Sequence, residues 1–157
     1  MLVTEAITEI RNKINDRDMV GLDDSELLSY LNEAVQWVAA SMISAGSTEL
    51  VKEEIIDGDE FTLPVNFAKF CGNYPIKRTG LQAELLCEPP MKLRYFVTYN
   101  LLTTDDEMPF NHIALTQIAI KKACEYAQNQ EKLDVQQDKM LEGELAQAVA
   151  LSMGVGE

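Results

Sequence analysis

The feature that most constrains this chain is the stretch from Ser25 to Ala45, which has the periodicity of one long amphipathic helix. Apolar residues recur in it at alternating steps of three and four, so they share one side of a helix. They are Leu28, Leu31, Val35, Val38 and Met42, with Leu27, Ala34 and Ile43 widening the stripe. A stripe this broad is typical of a helix that faces a protein core, so other elements must cover it.

Both ends of this long helix are marked in the sequence. Asp23 and Asp24 precede the first turn, and Glu26 follows Asp23 by three residues, which is the spacing of a capping box. Gly46 follows the last turn, and glycine adopts the left-handed conformation that commonly ends a helix. We therefore expect a helix bounded by Asp23 and Gly46.

Three further stretches have helical periodicity. Residues 3–14 predict a short amphipathic helix that Thr4 would cap. Residues 111–127 carry Ile, Leu and Ala on more than one side, which indicates a helix packed either between two neighbours or between its own core and a partner subunit. The last helix resumes at Val135, after a polar break. Its predicted apolar face consists of Leu141, Leu145, Ala148 and Val149.

The middle third of the chain has the short apolar runs and the turn signals of β-strands. Asp57-Gly58 separates two such runs and predicts a hairpin, because this dipeptide adopts the positive φ angles of a tight turn. Pro64 breaks the second run, and residues 65–70 are expected to form one helical turn. Residues 93–99 alternate between the two faces of a strand.

These elements predict a mainly α fold, a helical bundle of about four helices with a small antiparallel β insertion in the middle third. At 157 residues the chain has the length of one domain. We expect a single domain at residues 1–150, with the β insertion at about 48–100. Residues 151–157 contain two glycines and little apolar surface to bury, so they are expected to form a flexible C-terminal tail.

The charge balance is unusual, because 26 acidic residues face 13 basic ones and give a net charge of −13. Such a surface repels nucleic acid, since binding to phosphates depends on Lys and Arg, and it disfavours anionic membranes. Two interpretations stay open: the negative charge keeps the protein soluble, or the acidic surface contacts a basic partner or keeps DNA from adhering. No stretch approaches the roughly 18 apolar residues of a membrane span, so no membrane partner is expected.

The chain carries no sequence signature of an enzyme, so we expect no catalytic residues, no metal and no cofactor. Cys71, Cys87 and Cys124 are widely spaced and form no Cys-x-x-Cys pair. A zinc site built from them and His112 is an alternative that lacks the usual ligand spacing. Trp37 flanks the apolar stripe of the long helix and is either a core residue or an anchor in a subunit interface, where Trp is enriched.

Three segments, taken in order, resemble a known family. They are the run DSELLSYLNEAVQW at 24–37, the Leu-Pro-x-x-Phe turn at 63–67 and the run from Pro109 to Tyr126. With the late helix rich in Gln, Leu and Ala, this order is similar to that of tailed-phage head-to-tail adaptor proteins, also called head completion or connector proteins. The resemblance covers roughly residues 25–150 and consists of architectural patterns.

The resemblance implies a structural function without catalysis. Family members form a ring, commonly dodecameric, that docks under the portal protein, extends the DNA channel and links the capsid to the tail. The expected partners are therefore the portal protein, a tail or neck protein and further copies of this chain, with DNA passing through the channel without specific binding. The expected location is the neck of the virion, after synthesis in the host cytoplasm. Whether the chain is monomeric before docking is left open.

The C-terminal segments of the family often reach along the portal, which corresponds to residues 141–157 here. Partner contacts are expected on the long helix and along this segment, at Trp37, Leu141, Leu145, Leu151, Met153 and Val155. Two other functions are kept as alternatives: another neck or tail-completion ring protein, and a cell-wall hydrolase that uses a pair of carboxylates. The binding partner separates the two ring proteins, and catalytic activity separates the hydrolase from both.

Overall fold

The computed structural model describes residues 1–15, 21–129 and 135–154, in which it has four α-helices and six β-strands. The helices are α1 (Val3–Lys13), α2 (Asp24–Ser44), α3 (Ile113–Asn129) and α4 (Val135–Ser152). The strands are β1 (Val51–Ile56), β2 (Glu60–Thr62), β3 (Phe67–Phe70), β4 (Ile76–Thr79), β5 (Gln82–Leu85) and β6 (Met91–Val97). They divide into two compact units: the helical unit, Met1–Ala45 with Leu101–Glu157, and the β unit, Gly46–Asn100.

The helical unit is built around α2, the long helix predicted from the apolar stripe. Its buried residues are Leu27, Leu31, Ala34, Val35, Val38, Ala39, Met42 and Ile43. This face packs mainly against α3, and α3 also packs against α1 and α4. The prediction that the third helix lies between neighbours is therefore confirmed, because apolar residues on several sides of α3 find separate partners.

The ends of α2 are those predicted. The carboxylate of Asp23 accepts a hydrogen bond from the backbone N–H of Glu26 at 2.8 Å. Gly46 has a φ of +79° and so supplies the left-handed conformation after the helix. The cap expected for α1 is wrong: the helix begins after Leu2, whose backbone N–H donates to the Glu5 carboxylate at 3.0 Å, and not after Thr4.

The β unit contains two three-stranded antiparallel sheets, with strand orders β1-β6-β3 and β2-β5-β4. Its own hydrophobic core consists of Ile56, Leu63, Ala83, Leu85, Leu93 and Tyr95. The mainly α fold with a small β insertion is therefore a wrong prediction. The chain has an α+β composition, because the β segment has enough strands to form two sheets and to bury a core.

Two local predictions within the β unit are also wrong. Asp57-Gly58 does not close a hairpin, because β1 pairs with β6 and β2 pairs with β5, so this turn connects two different sheets. The helical turn expected at 65–70 is a tight turn followed by β3, with the Phe67 N–H donating to the Pro64 carbonyl at 3.0 Å. Burial of side chains against non-local strands has overridden the local signals.

The first and last strands of the β unit are neighbours. The antiparallel register of β1 and β6 sets Val51 opposite Phe96, so the chain leaves the β unit close to the point where it enters that unit. In the helical unit, the side chain of Asn32 on α2 then forms two hydrogen bonds with the backbone of Leu102, just after the chain leaves the β unit. Its amide oxygen accepts the backbone N–H of Leu102 at 2.7 Å, and its amide nitrogen donates to the Leu102 carbonyl at 3.1 Å.

Replacing Asn32 by Ala should lower the free energy of unfolding by about 1.5–3 kcal/mol, because the buried backbone of Leu102 loses both partners. Ser29→Ala, at an exposed position of the same helix, is the matched control and should change stability by less than about 0.5 kcal/mol. Urea unfolding followed by circular dichroism measures both variants. Equal stability of the two variants would show that the Asn32–Leu102 bonds contribute nothing.

Candidate partner-binding surfaces

The residues predicted to bind a partner on α4 fall into two groups. Leu141 and Leu145 are buried, with exposed fractions of 6% and 5%, and they hold α4 against the helical unit. Leu151 is 47% exposed and Met153 is 36% exposed, so these two side chains remain accessible beyond the buried face. Val155 lies outside the described residues, as does the rest of 155–157. On α4, Met140 is also exposed, at 68%, so accessible apolar side chains lie both near its middle and at its end.

Trp37 is half-buried on α2 and contacts a charged side chain of the helical unit. The Nζ atom of Lys122 lies 4.8 Å from the centroid of its ring, which is the geometry of a cation–π interaction. Lys122 also lies 5.1 Å from the ring centroid of Tyr126. The structure therefore gives Trp37 a packing role within the subunit, and its role at an interface stays a prediction.

Lys122 is the centre of a polar group that we call the Lys122 cluster: Lys122, Glu125, Asp138, Trp37 and Tyr126. The Lys122 ammonium is 3.2 Å from an oxygen of Glu125 on the same helix and 2.9 Å from an oxygen of Asp138 on α4. The side chains of Lys122 and Glu125 are 7% and 5% exposed, whereas that of Asp138 is 24% exposed. The cluster thus joins α2, α3 and α4 through one buried ammonium group.

The environment of the cluster shifts the pKa of each ionisable member. Burial lowers the pKa of Lys122, but hydrogen bonds to Asp138 and Glu125 outweigh it and leave this pKa above its ordinary value. Burial, with the neighbouring Asp138, raises the pKa of Glu125. Hydrogen bonds with Glu125 and Lys122 lower the pKa of Asp138. Lys122 therefore stays charged at neutral pH, and the two carboxyl groups differ in their affinity for a proton.

Sequence reasoning missed this cluster. Lys122 and Glu125 are three residues apart on a helix, and such a pair is usually solvent-exposed and contributes little to stability. The available signal was that α3 is apolar on several sides, which leaves little room on its surface for an exposed Lys–Glu pair. The contribution of Asp138 has no local signal, because it depends on how α4 packs against α3.

Helices α3 and α4 also border two open cavities, of about 490 and 290 Å³, that share Lys121 and Glu144 as lining residues. The Nζ of Lys121 and the Oε2 of Glu144 are 3.1 Å apart, so an ion pair lies between the two cavities. Cys124 lines the larger cavity, and burial raises the pKa of its thiol to about 11. That thiol is protonated at neutral pH and is therefore a weak nucleophile.

The β unit presents a second accessible apolar surface at the turn before β3. Val65 is 92% exposed at this turn. The turn is held firmly, because the Asn66 side-chain amide donates to the Thr98 carbonyl at 2.7 Å and the Thr98 N–H donates to the Asn66 carbonyl at 2.8 Å. Ile55 and Leu86 are also exposed in this unit, at 66% and 63%. A fixed, exposed valine loses little entropy when a partner covers it.

The charge is divided unequally between the two units. The sequence of the helical unit carries 18 acidic and 7 basic residues, a net charge of −11, and that of the β unit carries 8 acidic and 6 basic residues, a net charge of −2. The acidic surface is therefore mainly a property of the helices. A phosphate backbone near the helical unit would be repelled.

The structure also shows the surroundings of His112 and of the cysteines, which the sequence weighed as metal ligands. The Nδ1 atom of His112 accepts the backbone N–H of Ala114 at 3.1 Å and so caps α3. Cys71 and Cys87 are exposed free thiols. Within residues 1–15, 21–129 and 135–154, no group of three or more His, Cys, Asp or Glu is placed to hold a metal ion. No helix in this described part of the chain is long and apolar enough to cross a membrane.

Comparisons with protein-family models and with curated proteins find no match to this chain. The function is therefore inferred from the residues themselves and from the surfaces that they form.

Substitutions of two leucines on α4 test which side chain belongs to the core and which lies at the surface. Leu141→Ala should lower the free energy of unfolding by about 2–4 kcal/mol, because it removes a buried side chain and leaves a cavity. Leu151→Ala is the control and should cost less than about 1 kcal/mol, since its side chain is half exposed. Thermal unfolding of the two purified variants measures the difference. A Leu151→Ala variant as unstable as Leu141→Ala would place Leu151 in the core.

Proposed function

We propose that this protein is a structural head-to-tail adaptor of a tailed phage. In this proposal, copies of the chain form a ring under the portal protein, extend the DNA channel and link the capsid to the tail in the neck of the virion. The chain acts by binding and carries out no catalysis. The resemblance of the sequence to the adaptor family motivates the proposal, and two structural features together with the charge of the sequence support it.

The observation that carries the proposal is the accessible apolar surface at the end of α4. Leu141 and Leu145 anchor the helix, while Leu151 and Met153 expose apolar surface beyond them. An adaptor needs such a segment, because a portal can bury side chains that the subunit itself leaves in water.

The second support is the separate β unit, which offers a different surface on the same chain. Its own core allows it to keep its structure while its exposed residues bind. The Val65 turn presents apolar surface that is fixed by the bonds between Asn66 and Thr98. A protein that links two partners needs two surfaces, and we assign the end of α4 to the portal and the β unit to the tail or neck protein.

The third support is the net charge of −11 on the helical unit. DNA binds proteins largely through Lys and Arg that neutralise phosphates, so an acidic channel wall holds DNA weakly. Such a wall would let the genome pass without specific binding. Ring formation additionally requires a head-to-tail contact between copies whose rotation closes.

Native mass spectrometry of the protein, alone and mixed with the portal protein of the same phage, tests the proposal. The expected result is a complex in which the chain joins the portal ring in equal stoichiometry. Binding to an isolated tail or neck ring, with none to the portal, would instead indicate a tail-completion protein. Failure to bind either ring would refute the adaptor proposal, and hydrolysis of cell-wall substrate by the same sample would replace it with the enzymatic alternative.

Deleting residues 151–157 should weaken portal binding by at least about tenfold, since removing apolar contacts worth about 1.4 kcal/mol has that effect. The melting temperature should change little, because the buried face of α4 is kept. Val65→Ser is the matched control: it removes an exposed apolar residue of the β unit and should leave portal binding intact. Unchanged portal binding by the deletion variant would exclude the end of α4 as the docking segment.

A further inference from the structure

The Lys122 cluster contains an imbalance of charge. One ammonium group is shared by two carboxyl groups, Glu125 at 3.2 Å and Asp138 at 2.9 Å. If both carboxyl groups are ionised, the cluster carries one excess negative charge beside the aromatic rings of Trp37 and Tyr126. A buried charge without compensation is costly, so a proton bound at one of the carboxyl groups relieves the cluster.

Burial decides which carboxyl group takes the proton. The side chain of Glu125 is 5% exposed and has little water to stabilise a charge, whereas that of Asp138 is 24% exposed. Glu125 therefore binds the proton more strongly, and Asp138 remains the ionised partner of Lys122. The pKa shifts agree with this assignment, since the pKa of Glu125 is raised by burial and that of Asp138 is lowered by its hydrogen bonds.

We propose that the Lys122 cluster is a proton-dependent clasp between α3 and α4. With a proton on Glu125 the cluster is neutral, and Asp138 holds the first turns of α4 against α3 through Lys122. When Glu125 loses that proton, its carboxylate and that of Asp138 repel each other across the two helices, and the hold on α4 weakens. The apolar contacts of Leu141 and Leu145 keep the helix folded onto the unit in both states.

The neighbouring charged groups act in the same direction. On α2, Glu33 adds negative potential next to Tyr126. On α3, burial raises the pKa of the Tyr126 phenol, Lys122 opposes this, and Glu33, Glu125 and Asp138 add to the rise. Tyr126 is therefore neutral at physiological pH. The Lys122 ammonium donates hydrogen bonds to both Glu125 and Asp138. Its single positive charge balances only one carboxylate, so the loss of a proton from Glu125 makes the cluster net negative.

The window of pH follows from the two carboxyl groups. Because the folded-state pKa of Glu125 is raised, the stability that it contributes is complete below about pH 4.3 and is lost as the pH rises through that folded-state pKa. Because the folded-state pKa of Asp138 is lowered, its contribution is complete above about pH 3.9 and is lost as the pH falls. The clasped state, with Glu125 protonated and Asp138 ionised, prevails between the lowered folded-state pKa of Asp138 and the raised folded-state pKa of Glu125. This inference concerns the helical unit alone and does not depend on the adaptor proposal.

Glu125→Gln tests the clasp, because it keeps the shape of the side chain and cannot lose a proton. Trp37 is the only tryptophan of the chain and contacts the cluster, so its fluorescence reports the state of the clasp. In the native protein, Trp37 emission should change with a midpoint above the ordinary Glu value of about 4.3, in the direction in which burial shifts the pKa of Glu125. The Glu125→Gln variant should lack this transition.

Hydrogen exchange of the α4 amides measures the hold directly. Above the transition, these amides should exchange faster in the native protein than in Glu125→Gln. The difference should be about tenfold for each unit by which folding raises the pKa of Glu125. Below the transition, the two proteins should exchange at the same rate. Glu144→Gln is the matched control, because it breaks the Lys121–Glu144 ion pair, which also joins α3 and α4, and should leave the pH transition in place.

Three results would overturn the clasp. One is a Trp37 transition of the same midpoint in Glu125→Gln, which would assign it to another group. Another is equal exchange of the α4 amides in both proteins at every pH. The third is independent of any variant: carbon-13 nuclear magnetic resonance of the native protein showing that the Glu125 carboxyl group titrates at its ordinary pKa of about 4.3. This last measurement also decides the matter if Glu125→Gln does not fold.

Discussion

The antiparallel pairing of β1 with β6 is the contact on which the rest of the structure depends. Helices α2 and α3 form the centre of the helical unit, yet residues 45–112, which include the whole β unit, separate them in the chain. Closing a flexible loop of that length costs about 3–4 kcal/mol beyond a constant term. The β1–β6 ladder removes most of this cost, because it sets Val51 opposite Phe96 and joins the two ends of the insertion. The side chain of Asn32 then forms hydrogen bonds with both the N–H and the carbonyl group of Leu102, where the chain re-enters the helical unit.

The same dependence explains which parts of the fold could be predicted. The boundaries of α2 depend on residues within one or two turns, such as Asp23 and Gly46, so the sequence contains all the information. Strand pairing in the β unit depends instead on contacts between distant segments. Asp57-Gly58 is a good turn locally, but β1 pairs with β6 because Leu93 and Tyr95 on β6 enter the core of the unit. A local signal cannot identify a partner strand some 35 residues away.

The candidate site was predictable to a similar extent. The apolar face of α4 was visible in the sequence, but periodicity alone does not distinguish leucines that a neighbouring helix covers from leucines that remain exposed. Leu141 and Leu145 lie on the buried face of α4, which packs against α3 and α2, while Leu151 is 47% exposed. The Lys122 cluster was hidden for a related reason: the pKa shifts of Glu125 and Asp138 arise from desolvation and from contact between helices, and neither is written in residue spacing.

Helix α4 is held by two kinds of contact that respond differently to the surroundings. The burial of Leu141, Leu145, Ala148 and Val149 is apolar, so its contribution does not change with pH. The Lys122 cluster contributes less net stability than apolar packing of the same volume would, because desolvation of its charges offsets much of their attraction. What the cluster adds is dependence on a single proton at Glu125. A helix with both contacts stays folded onto its unit while the strength of its attachment changes, and the docking role proposed for α4 requires this combination.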